Sequence, residues 1–287
     1  MASTANAQVE AAEIPASTRL GFIGAGNMAR SLIGGLRARG MDAGNIAASD
    51  PSGDCLAAVK KLGVQALTSN IEVVAQSDVV VLAVKPQVMG EVVKGIAGAL
   101  AQRRPLLVSI AAGIDCDALQ RWSGVDDLPI VRCMPNTPAL LQCGATGLFA
   151  NRNVDEKQRE LAMALLEAVG LALWVAEETQ LDAVTALSGS GPAYFFLLME
   201  QMQRVGEKLG LPADVASALT VQTALGAARM ASESGSDVAT LRANVTSPNG
   251  TTHAAIENFL QNDFARIVEE ALRAAQQRSV AMARELG

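Results

Sequence analysis

Histidine occurs once in this 287-residue chain, at His253, and cysteine four times, with no Cys-x-x-Cys pair among Cys55, Cys116, Cys133 and Cys143. A structural or catalytic zinc needs three or four clustered His, Cys or carboxylate ligands, so we assign no metal site. Catalysis by a serine or cysteine nucleophile with a histidine base has only His253 to draw on, and no nucleophile-elbow motif accompanies it. Cysteines this few and this scattered fit a reduced, cytoplasmic protein. Aromatic residues make up only 3% and the formal net charge is −6. With no basic cluster either, the stacking and phosphate-binding surface of a nucleic-acid partner is missing. No run approaches the roughly 18 apolar residues of a membrane span. Residues 1–18 are rich in Ala, Ser and Thr, carry Glu10 and Glu13, and lack Lys and Arg. That fits neither a signal nor a transit peptide and reads as a loosely ordered tail.

What is present is aliphatic. Half the chain is hydrophobic, mostly Ala, Val, Leu and Ile, and its length suggests two domains. From Arg19 to about residue 176, strand-length apolar runs alternate with helical stretches. This is the pattern of an open, mostly parallel sheet with helices on both faces. The candidate strands are 20–23, 46–49, 79–84, 106–110, 130–134 and 171–175. From 177 to 287 strand signals vanish and Ala-rich and Leu-rich helical segments take over. Gly191-Pro192, Gly210-Leu211-Pro212 and Ser247-Pro248-Asn249-Gly250 punctuate them. Residues 193–199 are apolar all the way round, so one neighbouring layer cannot cover them. Either a partner subunit does, or the segment is the central helix of its own bundle.

The first strand runs directly into Gly24-x-Gly26-x-x-Ala29 and then a helix. Gly24 permits the tight turn, Gly26 lets the backbone approach a pyrophosphate, and Ala29 lets the helix pack close to the strand. The helix start then offers unpaired N–H groups and a favourable dipole to the phosphates. Ile23, Gly24, Ala25, Gly26, Asn27 and Met28 are therefore candidate dinucleotide contacts, and the N-terminal domain is read as Rossmann-type α/β. Ligands of such sheets lie beyond the carboxyl ends of the strands, which adds the loops Ala83-Val84-Lys85-Pro86 and Ala111-Ala112-Gly113 by position. Lys85 reads equally as a phosphate or substrate contact and as a solvent-facing side chain.

Two turns in the second half, 188–192 and 246–252, combine small residues, hydroxyls and helix starts. Such a turn holds a carboxylate without a cation, although plain helix capping explains each one alone. His253 follows the second turn, but no orienting carboxylate stands at a defined spacing, and we read it as solvated or packed.

The segments 21–29, 83–87, 132–139, 188–194 and 245–252 together resemble pyrroline-5-carboxylate reductase, in the same order over 19–287. The resemblance implies hydride transfer from NADPH or NADH to the imine carbon of pyrroline-5-carboxylate, giving L-proline. It places Asn244, Ser247, Gly250, Thr251 and Thr252 at the substrate, with the Thr252 hydroxyl as partner for the imine nitrogen. Ser190 supports that site from the dimer interface. Asn70 and the two strand-end loops match cofactor-contacting positions. The helical half becomes a dimerisation domain, so the chain is expected to be a homo-oligomer, a dimer with a decamer as the larger option.

Two departures from the family pattern matter. Asn249 stands where many members have glycine, and asparagine tolerates the same left-handed backbone. Asp50, at the end of the second strand, is placed to bond the ribose hydroxyls of NAD and to repel the 2′-phosphate of NADP. Like charges about 4 Å apart repel by roughly 1 kcal/mol in water and about 4 near a protein surface, against 1.4 per tenfold in affinity. Ser49 and Ser52 are the groups expected to receive the phosphate if Asp50 turns away, so both cofactors are expected to work. Competing readings are a β-hydroxyacid dehydrogenase, for which Lys208 is poorly placed as catalytic lysine, and a dinucleotide-binding sensor without turnover.

Overall fold

The computed structural model describes residues 13–287, so most of the tail expected at 1–18 lies outside the described residues. Within it, Ile14 packs against the core and Thr18 is buried. By compactness the described residues form two units, one running to Ser190 and including Ala275–Gly287, the other Gly191–Ala274.

The first unit holds one eight-stranded sheet. Its strands are β1 (Leu20–Ile23), β2 (Ile46–Ser49), β3 (Gln65–Leu67), β4 (Val79–Leu82), β5 (Leu106–Ser109), β6 (Ile130–Met134), β7 (Gly144–Ala150) and β8 (Gly170–Trp174). Their order is β3-β2-β1-β4-β5-β6-β7-β8, all pairs parallel except β6 with β7. The intervening helices are α1 (Asn27–Ala38), α2 (Gly53–Lys60), α3 (Asn70–Gln76), α4 (Pro86–Arg103), α5 (Cys116–Ser123) and α6 (Glu156–Glu167), then the short α7 (Gln180–Val184).

Alternation along buried strands assigns successive side chains to opposite faces. Phe22, Ala48, Val79, Val81 and Val108 join Leu32, Ile33 and Leu36 of α1 and Leu165 and Leu166 of α6 in one core. Ile23, Val80, Leu82 and Leu107 join Val73 and Val74 of α3, Met89, Val93 and Ile96 of α4 and Leu119 of α5 in the other. Serine or aspartate side chains begin several helices: Ser52 accepts from the Cys55 N–H, and Asp155 and Gln158 form a reciprocal capping box at α6.

The sequence reading missed β3 and β7. The first is a three-residue, partly exposed edge strand with no apolar run. The second contains two glycines and pairs antiparallel with β6 while running parallel to β8. Strands β4 and β5 also end earlier than expected, at Leu82 and Ser109, and β8 begins one residue sooner.

The second unit is helical: α8 (Gly191–Lys208), α9 (Ala213–Glu233), α10 (Val238–Asn244), α11 (Thr251–Gln261) and the start of α12 (Phe264–Leu286). It has almost no interior of its own. Among the described residues only Gly191, Ala216 and Thr220 are buried within it, while Phe195 is 65% and Phe196 64% exposed. The all-round apolar segment at 193–199 is therefore not the centre of its own bundle. Exposed apolar side chains in such number need a cover from outside the chain.

Candidate functional site

The carboxyl ends of β1, β2 and β4 are tied together by backbone bonds. The Gly24 N–H donates to the Ser49 carbonyl at 2.7 Å and the Ala83 N–H to the Ile23 carbonyl at 2.8 Å. Gly24 has φ +97°, and a Cβ on it would lie 2.6 Å from the Ala83 carbonyl oxygen, so both conformation and space demand glycine. At Gly26 a Cβ would meet nothing within 4 Å. Gly26 precedes α1 with no side-chain cap, so the first N–H groups of the helix open onto free space. A pyrophosphate fits there, because the backbone donors are present and no side chain intrudes.

The second-strand residues behave differently from the sequence expectation. The Asp50 carboxylate accepts from the Ala25 N–H and from the Ser52 N–H, each at 2.8 Å. Its Oδ2 therefore buttresses the glycine turn, while Oδ1 closes the local turn onto Ser52. Ser49 is fully buried, and its hydroxyl donates to Asn70 Oδ1 at 2.7 Å. A group held in this way is not open to a 2′-phosphate, which corrects the expectation for Ser49. Ser52 is exposed at the start of α2.

Asn70 opens α3 and lines a surface cleft with Ser69, Ile71 and Glu91. Lys85 is exposed at the start of α4, with half-buried Val84 and Pro86 beside it. At the end of β5, Ala111 and Gly113 are buried and Ala112 is half-buried, with Met282 and Ala283 against Gly113. The structure thus gathers Ile23 to Met28, Asp50, Asn70 and the loop 83–86 around the carboxyl ends of the central strands. It buries Ser49 beneath that surface.

The segment 188–192 is not the free helix start expected from its composition. Residues 185–189 form a π-helical turn in which the Ser190 N–H donates to the Thr185 carbonyl at 2.8 Å and the Ser188 hydroxyl to the Val184 carbonyl at 3.0 Å. Ser190 itself is half-buried.

The turn at 246–252 is a tight turn running into a helix start. Asn244 ends α10, and the Gly250 N–H closes on the Ser247 carbonyl at 3.0 Å, with Asn249 at φ +60° as its left-handed residue. Gly250 starts α11 without a side-chain cap, leaving the first helical N–H groups, including those of Thr251 and Thr252, without intrahelical acceptors. Among the described residues the side chains of Ser247, Thr251 and Thr252 make no hydrogen bond, whereas the Thr246 hydroxyl donates to the Arg242 carbonyl at 2.6 Å. His253 follows, half-buried.

Two arrangements had no sequence signal beyond their place in a motif. Arg132 on β6 is buried and pairs with Glu178 at 2.9 Å, and Glu178 also accepts from the Cys116 N–H at 2.8 Å. Burial pushes the Cys116 thiol well above the ordinary thiol range, and the Glu178 charge adds to it. Asn136, also buried, bridges the Ala145 N–H and the Ser188 carbonyl. Among the described residues no group of three or more His, Cys, Asp or Glu is arranged to hold a metal ion.

Residues 178–282 match a family described as pyrroline-5-carboxylate reductase dimerisation, and residues 19–113 one described as NADP oxidoreductase, coenzyme F420-dependent. The chain is 57% identical over 270 residues to a pyrroline-5-carboxylate reductase of Pseudomonas aeruginosa, covering 94% of this chain and 98% of that one. A solved pyrroline-5-carboxylate reductase of Coxiella burnetii is similar at a TM-score of 0.89 and 43% identity, covering 93% of this chain and 98% of the other. Pyrroline carboxylate reductase of Plasmodium falciparum, solved with NADP bound, is similar at a TM-score of 0.82 and 31% identity, with 93% and 99% covered.

Proposed function

The chain belongs to the pyrroline-5-carboxylate reductase family, and on that premise we propose how its residues divide the work. It is an oxidoreductase acting on a C=N bond: it reduces 1-pyrroline-5-carboxylate to L-proline with NAD(P)H, the last step of proline biosynthesis. The single observation that carries the residue assignment is the uncapped, hydroxyl-rich start of α11 in a chain that also holds an open glycine turn at α1.

The bound nicotinamide supplies the hydride. Everything else falls to the chain. Ile23 to Met28, Asp50, Asn70, the loop 83–86 and Ala111 to Gly113 form the dinucleotide cradle. The free N–H groups at the start of α11, with Ser247, Gly250 and Thr251, hold the substrate carboxylate through donors and dipole, and Asn244 flanks them. The Thr252 hydroxyl is the hydrogen-bond partner of the imine nitrogen. A protonated cyclic imine accepts hydride readily, so the site needs orientation more than a strong base. Ser190 supports the substrate from its π-helical turn.

The chain is a homo-oligomer with a small-molecule substrate. We read the assembly as a dimer through the helical residues, and sedimentation distinguishes that from a decamer. The division of labour at residue 177, with 19–176 for the dinucleotide and 177–287 for substrate and dimerisation, is supported by the dimerisation-family match at 178–282. Cytoplasmic residence belongs to the same proposal, supported by four free cysteines.

The test follows loss of reduced-nicotinamide absorbance with pyrroline-5-carboxylate, NADPH and NADH in parallel, and a keto acid as control. Imine-dependent oxidation is expected with both cofactors. Tight cofactor binding without turnover on the imine would move the assignment to another substrate or a sensor. Thr252→Ala is expected to lower kcat by about tenfold with the cofactor KM unchanged, the cost of roughly one hydrogen bond. Unchanged kcat would remove Thr252 from its role.

A further inference from the structure

The Asn136 side chain sits just past the end of β6, 8% exposed, and both ends of its amide are engaged. Its nitrogen donates to the Ser188 carbonyl at 3.0 Å and its oxygen accepts from the Ala145 N–H at 2.9 Å. Only this orientation of the amide pairs both groups. The carbonyl it serves is a special one. In a regular helix the Ser188 carbonyl would accept the N–H of residue 192, and residue 192 is proline, which has none. A proline ring also crowds the carbonyl four residues before it, which is one of the identifiable reasons for a helix to widen or bend. The chain does widen here: residues 185–189 are π-helical, and Ser190 reaches back five residues to Thr185. The widened turn leaves the Ser188 carbonyl facing Asn136.

We propose that Asn136 is a positioning residue for imine reduction: its amide replaces the hydrogen bond that Pro192 cannot make, and thereby fixes the π-helical turn that presents Ser190. This rests on the assignment of Ser190 to the substrate. The structural half of the idea stands apart from it, because the exchange of one donor for another is a property of the turn. Replacing Asn136 by a residue without a donor would leave the half-buried Ser188 carbonyl unmet, which is costly. π-Helical turns are rare and frequent at functional sites.

Asn136→Asp keeps the acceptor for Ala145 and removes the donor. Pro192→Ala returns an N–H at position 192, so the Ser188 carbonyl regains a partner within its own helix. Wild type, both single variants and the double variant are compared by imine KM, NADPH KM and thermal midpoint. The expected result is an imine KM raised about tenfold in Asn136→Asp with the NADPH KM within twofold, and recovery of most of that loss in the double variant. The midpoint lowered by Asn136→Asp recovers in the same way. An NADPH KM that rises in step with the imine KM would mean general loosening and overturn the positioning role. Additive effects in the double variant would overturn the donor exchange. If Asn136→Asp does not fold, a double variant that folds supports the donor exchange, and one that also fails to fold overturns it. A wild type that binds NADPH but leaves the imine untouched would defeat the functional assignment alone, with the thermal cycle still judging the donor exchange.

Discussion

Replacing Asp50 by serine separates two accounts of the same carboxylate. In the first, read from its position after the second strand, Asp50 bonds the ribose of NADH and repels the 2′-phosphate of NADPH. Its removal then weakens NADH, strengthens NADPH and shifts their ratio by tenfold or more. In the second, read from the structure, each oxygen accepts one backbone N–H at 2.8 Å, from Ala25 and from Ser52, so the carboxylate acts on the local backbone. Hydrogen bonds to a charged group contribute about 1.5–3 kcal/mol each when well sheltered, and Asp50 is only half-buried, so water replaces much of what is lost. A net loss of about 1–2 kcal/mol for the pair is reasonable, equivalent to roughly 5- to 30-fold. The Ala25 share of that loss falls on the order of the glycine turn, which every dinucleotide must use, and the Ser52 share on the turn after β2. The expected outcome is therefore that KM and Kd for NADPH and NADH rise together by about that factor, with their ratio changed by less than tenfold. Initial-rate kinetics with each cofactor, supported by fluorescence titration of the reduced nicotinamide, measure both constants. An NADPH constant that improves while the NADH constant worsens would refute the structural account and restore the ribose account.

Gly24→Ala should destabilise the fold by about 1–3 kcal/mol or more, because it strains a φ of +97° and places a methyl 2.6 Å from a backbone oxygen. Gly26→Ala should leave the thermal midpoint within about 2 °C yet weaken NADPH by at least roughly tenfold, since its methyl enters only the space reserved for phosphate; normal binding by that variant would contradict the cradle. A thiol reagent on the native protein should modify exposed Cys143 first and half-buried Cys55 more slowly. Cys116 and Cys133, whose thiols burial pushes far up, should react only on unfolding, and mass spectrometry finding either labelled in folded protein would oppose this. The Asp237 carboxylate is held below its ordinary range by the Thr240 hydroxyl and by the N–H groups of Thr240 and Ala239 at the start of α10. A depressed folded pKa stabilises above the unfolded value of about 3.9 and loses that contribution as pH falls through the folded value. The difference in thermal midpoint between wild type and Asp237→Ala should therefore be constant from pH 7 to about 5 and shrink below 4; a gap independent of pH would contradict it.

What could be read from the sequence was local, and what could not was long-range. The glycine turn, the strand before it and the helix after it lie within 20 consecutive residues, and each declares itself through spacing and residue type. The same holds for the Ser247 to Thr252 turn, where Asn249 takes the left-handed backbone its side chain tolerates. Strand β7 stayed hidden because its glycines weaken any strand propensity and its partners, β6 and β8, supply the pairing. The Ser49 hydroxyl reads as a phosphate partner by its position, yet it donates to Asn70, 21 residues on. The Asp50 carboxylate reaches back 25 residues to Ala25, and Asn136 reaches forward 52 to Ser188. None of these bonds leaves a periodic trace. Each is nevertheless a support for a residue the sequence had singled out, so motif reading marked candidate positions and missed the scaffolding that aims them.

The helical unit adds a different lesson about where stability comes from. Its helices are well formed: α10 is capped by Asp237, and i,i+4 pairs such as Arg229 with Glu233 and Arg273 with Glu269 line exposed faces. Such pairs contribute only about 0.2–0.5 kcal/mol each and cannot hold a fold without a core. Against them stand Phe195, Phe196, Leu197, Leu219, Leu225, Phe259 and Ile267, all open to solvent in a single chain. Burying a side chain of that size contributes roughly 1.5–3 kcal/mol, so even a few of them outweigh every exposed ion pair in the unit. Association with another copy is therefore the main source of stability for these helices. The substrate turn between α10 and α11 belongs to the same unit, which couples the ordering of the proposed carboxylate site to assembly.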